Sequence, residues 1–261
     1  DASAWWSSVF RSVAQRTGID MSRQTVAVEV RPSLTIGGIA TDEHGRAVNG
    51  AWSRWFTGLY AAGDAACTGF HGVNALPGNQ LLDALGSGAA AGDHAGTWVK
   101  DRKLSGSNIA QEDEEQANAD FSALCEASSE AVIRVGSVAT KLRDAARNAL
   151  VGGRDATSLT NSIESLEALS VTAESIHLDQ HSLIANTNMI EISRIQSGIR
   201  LTLAAAQSAL SREETRGSHQ RTDFAEQSED LLHHTTVDQT GATSTLGLRK
   251  GTAGNWVLAP Q

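Results

Sequence analysis

The segment GLYAAGDAACTGFHGVNALPGNQLLDALGSGAAAG, residues 58–92, decides the fold because a strand, a glycine-rich turn and a helix follow one another within it. The apolar run Thr57–Ala62 predicts a buried strand, and Gly63 and Asp64 end it, as happens where the carboxyl end of a strand meets a ligand. A helix that begins near Asn79 directs its free N–H groups and positive dipole end at the turn, whose glycines permit close backbone approach. The residues alone leave two interpretations open: a site for an electron-rich group, or a tight loop beside a helix packed closely on a sheet.

The residues before this segment predict one helix and two strands. Apolar side chains recur at helical spacing until Gly18 ends the pattern. These side chains are Trp5, Trp6, Val9, Phe10 and Val13. The run TVAVEV, residues 25–30, favours a strand that Pro32 ends, and TIGGIAT, residues 35–41, favours a second short strand. The turn residues at 42–45 then predict a hairpin.

The residues after this segment are mainly helical. A helix is predicted over 80–100, and the polar stretch 101–107 marks a change in character. Long helical patterns follow at 109–127, 129–150, 156–175 and 185–210. Four antiparallel helices of this length can form a bundle, so we place a subdomain boundary near Lys103. The polar tail from Arg212 ends in a predicted strand at 255–258, and the whole chain is predicted to be an α+β protein.

The composition is that of a soluble globular chain and argues against several functions. The 261 residues include 30 acidic and 21 basic side chains, giving a net charge of −9, so no surface for nucleic acid is expected. Cys67 and Cys125 lack the spacing of a zinc site or a disulfide framework, which fits reduced thiols in the cytosol and no bound metal. No run reaches the roughly 18 apolar residues of a membrane span, so no direct membrane insertion is expected and any membrane association would use a partner.

Three stretches carry a family pattern in the same order along the chain. The sequence GID, residues 18–20, precedes a predicted strand and the run IGGIATDEHG, residues 36–45. The run GLYAAGDAACTGFHG is followed shortly by GNQLLD, and the run SREETRGSHQRTDF, residues 211–224, is followed by His-Thr at 234–235. Together these stretches resemble the flavoproteins of the succinate dehydrogenase/fumarate reductase family, which also includes L-aspartate oxidase.

The resemblance implies four regions and a redox function. Residues 1–24 correspond to the end of the family's capping domain, and residues 25–103 to the C-terminal part of its FAD-binding α/β domain. Residues 104–215 correspond to an antiparallel helical bundle, and residues 216–261 to a short irregular or β tail. The implied chemistry is hydride transfer between a dicarboxylate and FAD, with electrons passed to an iron–sulfur subunit. Membrane anchor subunits are implied as well, and they would hold the protein at the cytoplasmic face of the membrane.

The resemblance also implies six cofactor-binding residues in the turn and the helix start: Gly63, Asp64, Asn74, Asn79, Gln80 and Leu81. Asp64 stands where the family has an acidic residue that hydrogen-bonds the ribityl and phosphate region of the flavin. The backbone N–H groups of Gln80 and Leu81 stand where the family contacts the isoalloxazine ring. Independently of the resemblance, a helix N-terminus at the pyrimidine edge of a flavin stabilises the reduced ring and raises its reduction potential.

Several departures from the family pattern concern the substrate. Ala75 occupies the position of an arginine that holds a substrate carboxylate, and the stretch around Ser33 lacks the family's histidine. Each loss removes a charge-assisted donor worth roughly 1.5–3 kcal/mol. The N-terminal glycine fingerprint, the histidine that carries covalent flavin and the proton-transferring arginine of the capping domain are also missing. No catalytic residue is therefore assigned, and the chain alone is expected to be inactive.

Two alternative functions stay open beside the leading one. The first is a soluble flavoenzyme similar to L-aspartate oxidase. The second is a diverged paralogue that has lost dicarboxylate chemistry and whose helical region serves as an assembly module.

Two further patterns receive structural interpretations. The glycines within residues 86–92 follow a helix rather than a strand, so they predict close packing of a helix on a sheet and no dinucleotide site. Arg212, Arg216 and Arg221 alternate with acidic residues. This alternation favours an internal ion-pair network over a surface for an electron-transfer partner.

Overall fold

The computed structural model describes residues 2–28, 34–49, 54–72, 74–100, 102, 108–126, 133–178, 185–250 and 256–258. Helices and short strands are mixed along this part of the chain, which confirms the predicted α+β class. The chain divides into two compact units, residues 1–35 and residues 36–261. No helix in the ranges given above combines the length and the apolar character needed to cross a membrane.

The first unit contains helix α1, Ala2–Thr17. The helix ends as predicted at Gly18, which has a φ of +74° and donates its N–H to the Ala14 carbonyl. The strand predicted over 25–30 is wrong for residues 25–28, which form no strand, and Val28 is 90% exposed. Alternating hydrophobicity does not provide a neighbouring strand, and a strand needs one to pair its backbone. The rest of that prediction, together with Pro32 and Ser33, lies outside the described residues.

The second unit begins with four short strands and a long helix. They are β1 (Ile39–Ala40), β2 (Arg46–Asn49), β3 (Arg54–Tyr60), β4 (Ala66–Cys67) and α2 (Asn79–Lys100). Strand β1 pairs in parallel with β4, whereas β2 and β3 form an antiparallel hairpin. A one-turn 3-10 helix, Gly63–Ala65, lies between β3 and β4 and packs against α2.

Two expectations for this region need correction. The turn at 42–45 is confirmed, since the Gly45 N–H donates to the Asp42 carbonyl, but β1 covers only two residues of the strand predicted over 35–41. The run 57–62 was expected to be a buried strand, yet β3 ends at Tyr60, residues 57–59 are exposed, with Leu59 at 45%, and only Ala61 of the run is buried. A two-stranded hairpin leaves much apolar surface uncovered, and periodicity alone does not reveal how many layers cover a strand.

The bundle helices are α3 (Asn108–Glu126), α4 (Val135–Leu150), α5 (Ala156–Glu174) and α6 (Thr187–Ser211). Helix α4 begins six residues later than predicted, after the two-residue strand β5 (Ile133–Arg134). That strand pairs with β6 (Ile176–His177), which follows α5. The start of α4 therefore lies beside the end of α5, and the two helices run antiparallel.

Three of these helices form the packed core. Helices α4, α5 and α6 pack against one another. Their buried side chains recur every three or four residues, as an apolar stripe requires. The main cluster comprises Val138, Leu169, Ala173, Ile176, Leu178, Ile192, Ile195 and Ile199. A four-membered bundle was expected, but the side chains of α3 that are described, those of residues 111–120 and 122, are exposed, because QEDEEQANAD has no apolar stripe.

The tail contains more strand than the sequence predicted. Strands β7 (His233–Val237), β8 (Thr243–Lys250) and β9 (Trp256–Leu258) form an antiparallel sheet. Only the last strand was expected, because HHTTV in β7 shows no apolar alternation. Leu246 of β8 is fully buried and shares a small apolar cluster with Val48 of β2. The tail therefore packs onto the hairpin that precedes the glycine-rich turn.

Candidate functional site

The glycine-rich turn between Gly63 and Asn79 lies close against α2 on one side. Gly63 has a φ of +60°, and a Cβ added there would lie 3.3 Å from the Cβ of Ala84. A Cβ at Gly38 would lie 2.5 Å from the carbonyl oxygen of Ala65. Glycine is required at both positions, because a side chain would collide with or strain its surroundings. The tight-loop interpretation therefore holds for this side of the turn.

The other side of the turn is open. Gly72 and Gly78 have φ values of +55° and +86°, and a Cβ added at either position would meet no atom of the described residues within 4 Å. Helix α2 begins immediately afterwards, so the N–H groups of Gln80 and Leu81 belong to its first turn and have no acceptor within the helix. Leu81 is 67% exposed. This side therefore offers both free space and N–H donors at the positive end of a helix dipole.

Gly63 and Asp64 lie on the 3-10 helix that packs against α2. The N–H of Gly63 donates to Oγ of Ser87 at 2.9 Å, so this amide is already used within the protein. The side chain of Asp64 is exposed and faces solvent. Of these two predicted cofactor ligands, Asp64 is the one with a free polar group.

The remaining predicted site residues lie at the end of the turn and the start of α2. The N–H of Asn74 donates to the His71 carbonyl at 3.2 Å, and the N–H of Asn79 donates to the Leu76 carbonyl at 3.1 Å. The side chain of Asn74 is exposed, and those of Asn79 and Gln80 are half-buried. The predicted residues therefore lie together at the N-terminal end of α2. The backbone N–H groups of the two asparagines form hydrogen bonds within the turn.

Sequence reasoning did not assign a role to three residues that hold this turn in place. Nε2 of His71 lies 3.3 Å from Oδ2 of Asp83, and both side chains are largely buried. Oγ of Ser87 donates to the carbonyl of Asp83 at 2.5 Å while it accepts the N–H of Gly63. The four-residue spacing of Asp83 and Ser87 is visible in the sequence, but the contacts with His71 and Gly63 depend on the tertiary fold.

The open side of the turn fits part of a flavin. The carbonyl oxygens of the pyrimidine edge need N–H donors, which the first turn of α2 presents, and the ribityl hydroxyls need an acceptor such as Asp64. Nδ1 of His71, in the middle of the turn, is buried without a hydrogen-bond partner among the residues that the structure describes. The fit covers the isoalloxazine and ribityl parts of FAD.

The same region lacks cationic side chains for a dicarboxylate. Ala75 is half-buried in the turn. Residues 63–99 contain neither lysine nor arginine. A substrate carboxylate would therefore find no charge-assisted donor on this stretch.

The arginine-rich motif near the C-terminus is an internal network, as predicted. Glu214 is fully buried and forms ion pairs with Arg212 at 2.5 Å and with Arg216 at 3.0 Å. Burial alone would raise the pKa of Glu214, but hydrogen bonds from Arg216, the Ser228 amide and Arg212 lower it to about 2. The carboxylate is therefore ionised at any physiological pH.

The same motif, together with Arg154 between α4 and α5, caps three helices at one end of the bundle. Arg221 donates to the carbonyls of Ala209, Leu210 and Arg212 at 3.0–3.1 Å, which satisfies the C-terminus of α6. Arg154 donates to the Ala149 carbonyl at the end of α4. A carboxylate oxygen of Asp223 accepts the N–H of Ala156 at the start of α5 at 2.9 Å. The motif is therefore the point at which the bundle helices are joined.

Family models match most of the chain in two segments. Residues 9–81 match the FAD binding domain, and residues 139–257 match the C-terminal part of the fumarate reductase flavoprotein. The fumarate reductase flavoprotein subunit of Mycobacterium tuberculosis is 31% identical over 216 residues, which are 80% of this chain and 36% of that protein. The chain belongs to the succinate dehydrogenase/fumarate reductase flavoprotein family. FAD is the cofactor of this family of oxidoreductases, in agreement with the sequence analysis.

Other family members show how much of a flavoprotein the chain represents. The succinate dehydrogenase flavoprotein subunit of Coxiella burnetii is 27% identical over 85% of this chain and 38% of that protein. The L-aspartate oxidase of Agrobacterium fabrum is 36% identical over 110 residues, 42% of this chain and 19% of that enzyme. The fold is shared with a mutant of E. coli quinol fumarate reductase, with a TM-score of 0.81 at 20% identity over 97% of this chain and 41% of that one. The chain therefore spans less than two fifths of the length of the curated flavoproteins that it matches.

Proposed function

We propose that the chain forms the C-terminal part of an FAD-dependent oxidoreductase subunit that moves hydride between a dicarboxylate and the flavin and passes electrons to an iron–sulfur partner. The observation that carries the proposal is the open N-terminus of α2 beside Gly72 and Gly78. Bound FAD would supply the hydride-accepting ring. Because the chain spans only part of its relatives, catalysis requires groups outside it.

The chain's own residues would bind and polarise the flavin. The N–H groups of Gln80 and Leu81 would donate to the pyrimidine edge, and the helix dipole would favour negative charge there. Asp64 would accept from ribityl hydroxyls. The apolar side chains of Leu81 and Leu82, which are 67% and 59% exposed, would cover the ring and exclude water beside it.

The regions and partners of the intact protein follow the same proposal. Residues 1–24 would end a capping domain, 25–103 would complete the flavin domain, 104–215 would form the helical domain and 216–261 the tail. An iron–sulfur subunit and membrane anchor subunits would accept the electrons and hold the protein at the cytoplasmic face of a membrane. The membership of the chain in a family of respiratory flavoproteins supports these partners.

A second candidate is a flavoprotein that no longer acts on dicarboxylates and uses its helical domain for assembly. Ala75 and the absence of lysine and arginine from residues 63–99 favour it. A third candidate, an L-aspartate oxidase activity, is supported by the similarity to the Agrobacterium enzyme over 42% of the chain.

One titration separates these functions. The protein is expressed from its complete gene, its flavin absorbance is recorded, and succinate, fumarate and aspartate are added to millimolar concentration. A flavin spectrum that shifts with succinate or fumarate supports the leading proposal, and a shift with aspartate alone supports the oxidase. A bound flavin that responds to none of them supports the diverged paralogue, whereas a protein without flavin contradicts all three.

A further inference from the structure

We propose that Asp83 and Ser87 are positioning residues that hold the glycine-rich turn against α2 through His71 and Gly63, and that this turn clamp sets the affinity and reduction potential of the flavin. The turn clamp is the set Gly63, His71, Asp83 and Ser87. The inference rests on the proposed flavin site and deepens it, because none of these side chains is placed in contact with the flavin.

The first arm of the clamp fixes the beginning of the turn. Oγ of Ser87 donates to the Asp83 carbonyl at 2.5 Å and accepts the N–H of Gly63 at 2.9 Å. The hydroxyl thus uses its single donor within α2 and offers a lone pair to the turn. Gly63 is also pressed against Ala84, where an added Cβ would lie 3.3 Å from the alanine Cβ. The backbone at the start of the glycine-rich turn is therefore in direct contact with the second helical turn of α2.

The second arm fixes the middle of the turn. Nε2 of His71 lies 3.3 Å from Oδ2 of Asp83, and the two side chains are only 13% and 9% exposed. Nδ1 of the same ring is buried without a partner in the described part of the chain. The Asp83 carboxylate is therefore the polar contact that the structure gives to this imidazole among the described residues.

Both arms meet at one residue, and that residue is close to the proposed flavin donors. The Asp83 carbonyl accepts the hydroxyl of Ser87, which in turn accepts the Gly63 amide, and the Asp83 carboxylate contacts His71 in the middle of the turn. Asp83 lies three residues after Gln80, on the neighbouring turn of α2. Residues 72–78, between the clamped histidine and the helix, include the two glycines that face open space. The clamp thus fixes the spacing between the loop and the free N–H groups of the helix.

Loosening the clamp should weaken hydrogen bonds to the flavin more in the reduced state than in the oxidised state. The reduced ring carries more negative charge at its pyrimidine edge, and donors that are held in place stabilise that charge best. Loss of either arm is therefore expected to raise the dissociation constant for FAD and to lower the reduction potential of bound FAD.

The test uses the flavin-binding protein expressed from its complete gene. Asp83→Ala removes the His71 contact and Ser87→Ala removes the Gly63 contact, while Asp83→Asn retains an acceptor for His71. Asp93→Ala, at an exposed position on the same helix, is the control. We expect the two alanine variants at 83 and 87 to raise the dissociation constant about tenfold or more, as loss of a hydrogen bond in such a site does. Their potentials should fall, Asp83→Asn should recover most of both losses, and the control should match the parent protein.

The outcomes distinguish failure of the clamp from failure of the flavin site. A parent protein that binds FAD, with variants that keep its dissociation constant and potential, overturns the clamp and leaves the proposed function standing. Variants that unfold at a lower temperature but keep the dissociation constant for FAD and the reduction potential also overturn the clamp proposal, because the contacts would then only stabilise the fold. A parent protein that binds no FAD overturns both proposals. If Asp83→Ala does not fold, Ser87→Ala alone decides the result.

Discussion

At the scale of single residues, we expect Ala75 to limit how tightly the proposed site can hold an acidic substrate. The turn around it contains no cation, so a carboxylate there would be poorly paired. Ala75→Arg would add a charge-assisted donor worth roughly 1.5–3 kcal/mol. We expect the dissociation constant for fumarate to fall about 10- to 100-fold, measured by titration of the flavin absorbance.

The control for this substitution is Ala89→Arg, which adds the same charge at an exposed position further along α2. A general electrostatic attraction would improve fumarate binding in both variants. An improvement confined to position 75 would locate the substrate at the turn, and no improvement at position 75 would remove the turn as its binding place.

Glu214 offers a prediction about pH. Its pKa of about 2 lies below the ordinary value of 4.5 because Arg216, Arg212 and a backbone amide outweigh the effect of burial. A lowered folded-state pKa contributes stability above pH 4.5, and this contribution disappears as the pH falls towards 2. The difference corresponds to about 3 kcal/mol. Glu214→Gln should lower the free energy of unfolding at pH 7 by about that amount or more and should flatten its decline between pH 5 and 3, as measured by denaturant titration.

Glu226→Gln is the matched control, because this glutamate, twelve residues further along the chain, has an exposed side chain. Its unfolding free energy should follow that of the parent protein across the pH range. If the two glutamine variants behave alike, the buried network does not carry the acid sensitivity.

At the scale of elements, the end of α6 depends on one guanidinium. Arg221 is buried, donates to three carbonyls at the helix terminus and pairs with Asp223. Lysine keeps the charge but cannot present donors in a planar fork. Arg221→Lys should therefore lower the free energy of unfolding by about 2 kcal/mol or more, since buried carbonyls lose their donors. Arg200→Lys, exposed on the same helix, should change it by less than about 0.5 kcal/mol, and equal losses would show that the cap contributes nothing.

The elements that sequence reasoning found are those with local signals. Helices α2, α3, α5 and α6 were placed within two residues at each end, and the end of α1 was placed at Gly18, because helical patterns and helix-ending residues are local signals. The strand predicted at 25–30 was wrong over residues 25–28, and the described side chains of α3 are exposed where a fourth packed helix was expected, since pairing and burial depend on distant neighbours. The glycines of 86–92 were expected to pack closely on a sheet, yet Gly86, Gly88 and Gly92 face no described atom within 4 Å, and only Ala91 of that stretch is buried.

In the candidate site too, the sequence identified residues that are close along the chain but not contacts between distant residues. The residues of the turn and the helix start were identified because they are continuous in sequence. The contact of His71 with Asp83 and the contact of Gly63 with Ser87 join residues 12 and 24 positions apart, and no local pattern predicts such pairs. The hairpin of β7 and β8 was missed for a related reason: among its described side chains only Leu246 is fully buried, and a single apolar residue gives no period.

At the scale of the whole molecule, the tail joins distant parts of the second unit. Leu246 packs with Val48, and Sγ of Cys67 lies 3.7 Å from Nδ1 of His234 in β7. Burial raises the pKa of the Cys67 thiol and lowers that of His234, so it favours the neutral form of each group. Leu246→Ala should lower the free energy of unfolding by about 2–5 kcal/mol and should increase proteolytic cleavage in the tail. Leu201→Ala, at a position 70% exposed, should do neither, and a Leu246 variant as stable as the parent would contradict this packing.

The central claim is that a flavin lies against the first turn of α2. Hydrogen exchange of the protein expressed from its complete gene, measured with and without added FAD, tests this claim most directly, because it reports on the N–H groups themselves. The account predicts that FAD slows exchange in residues 78–84 and leaves the exposed end of α2 near Lys100 unchanged. Exchange in residues 78–84 that stays equally fast when FAD is bound would contradict it.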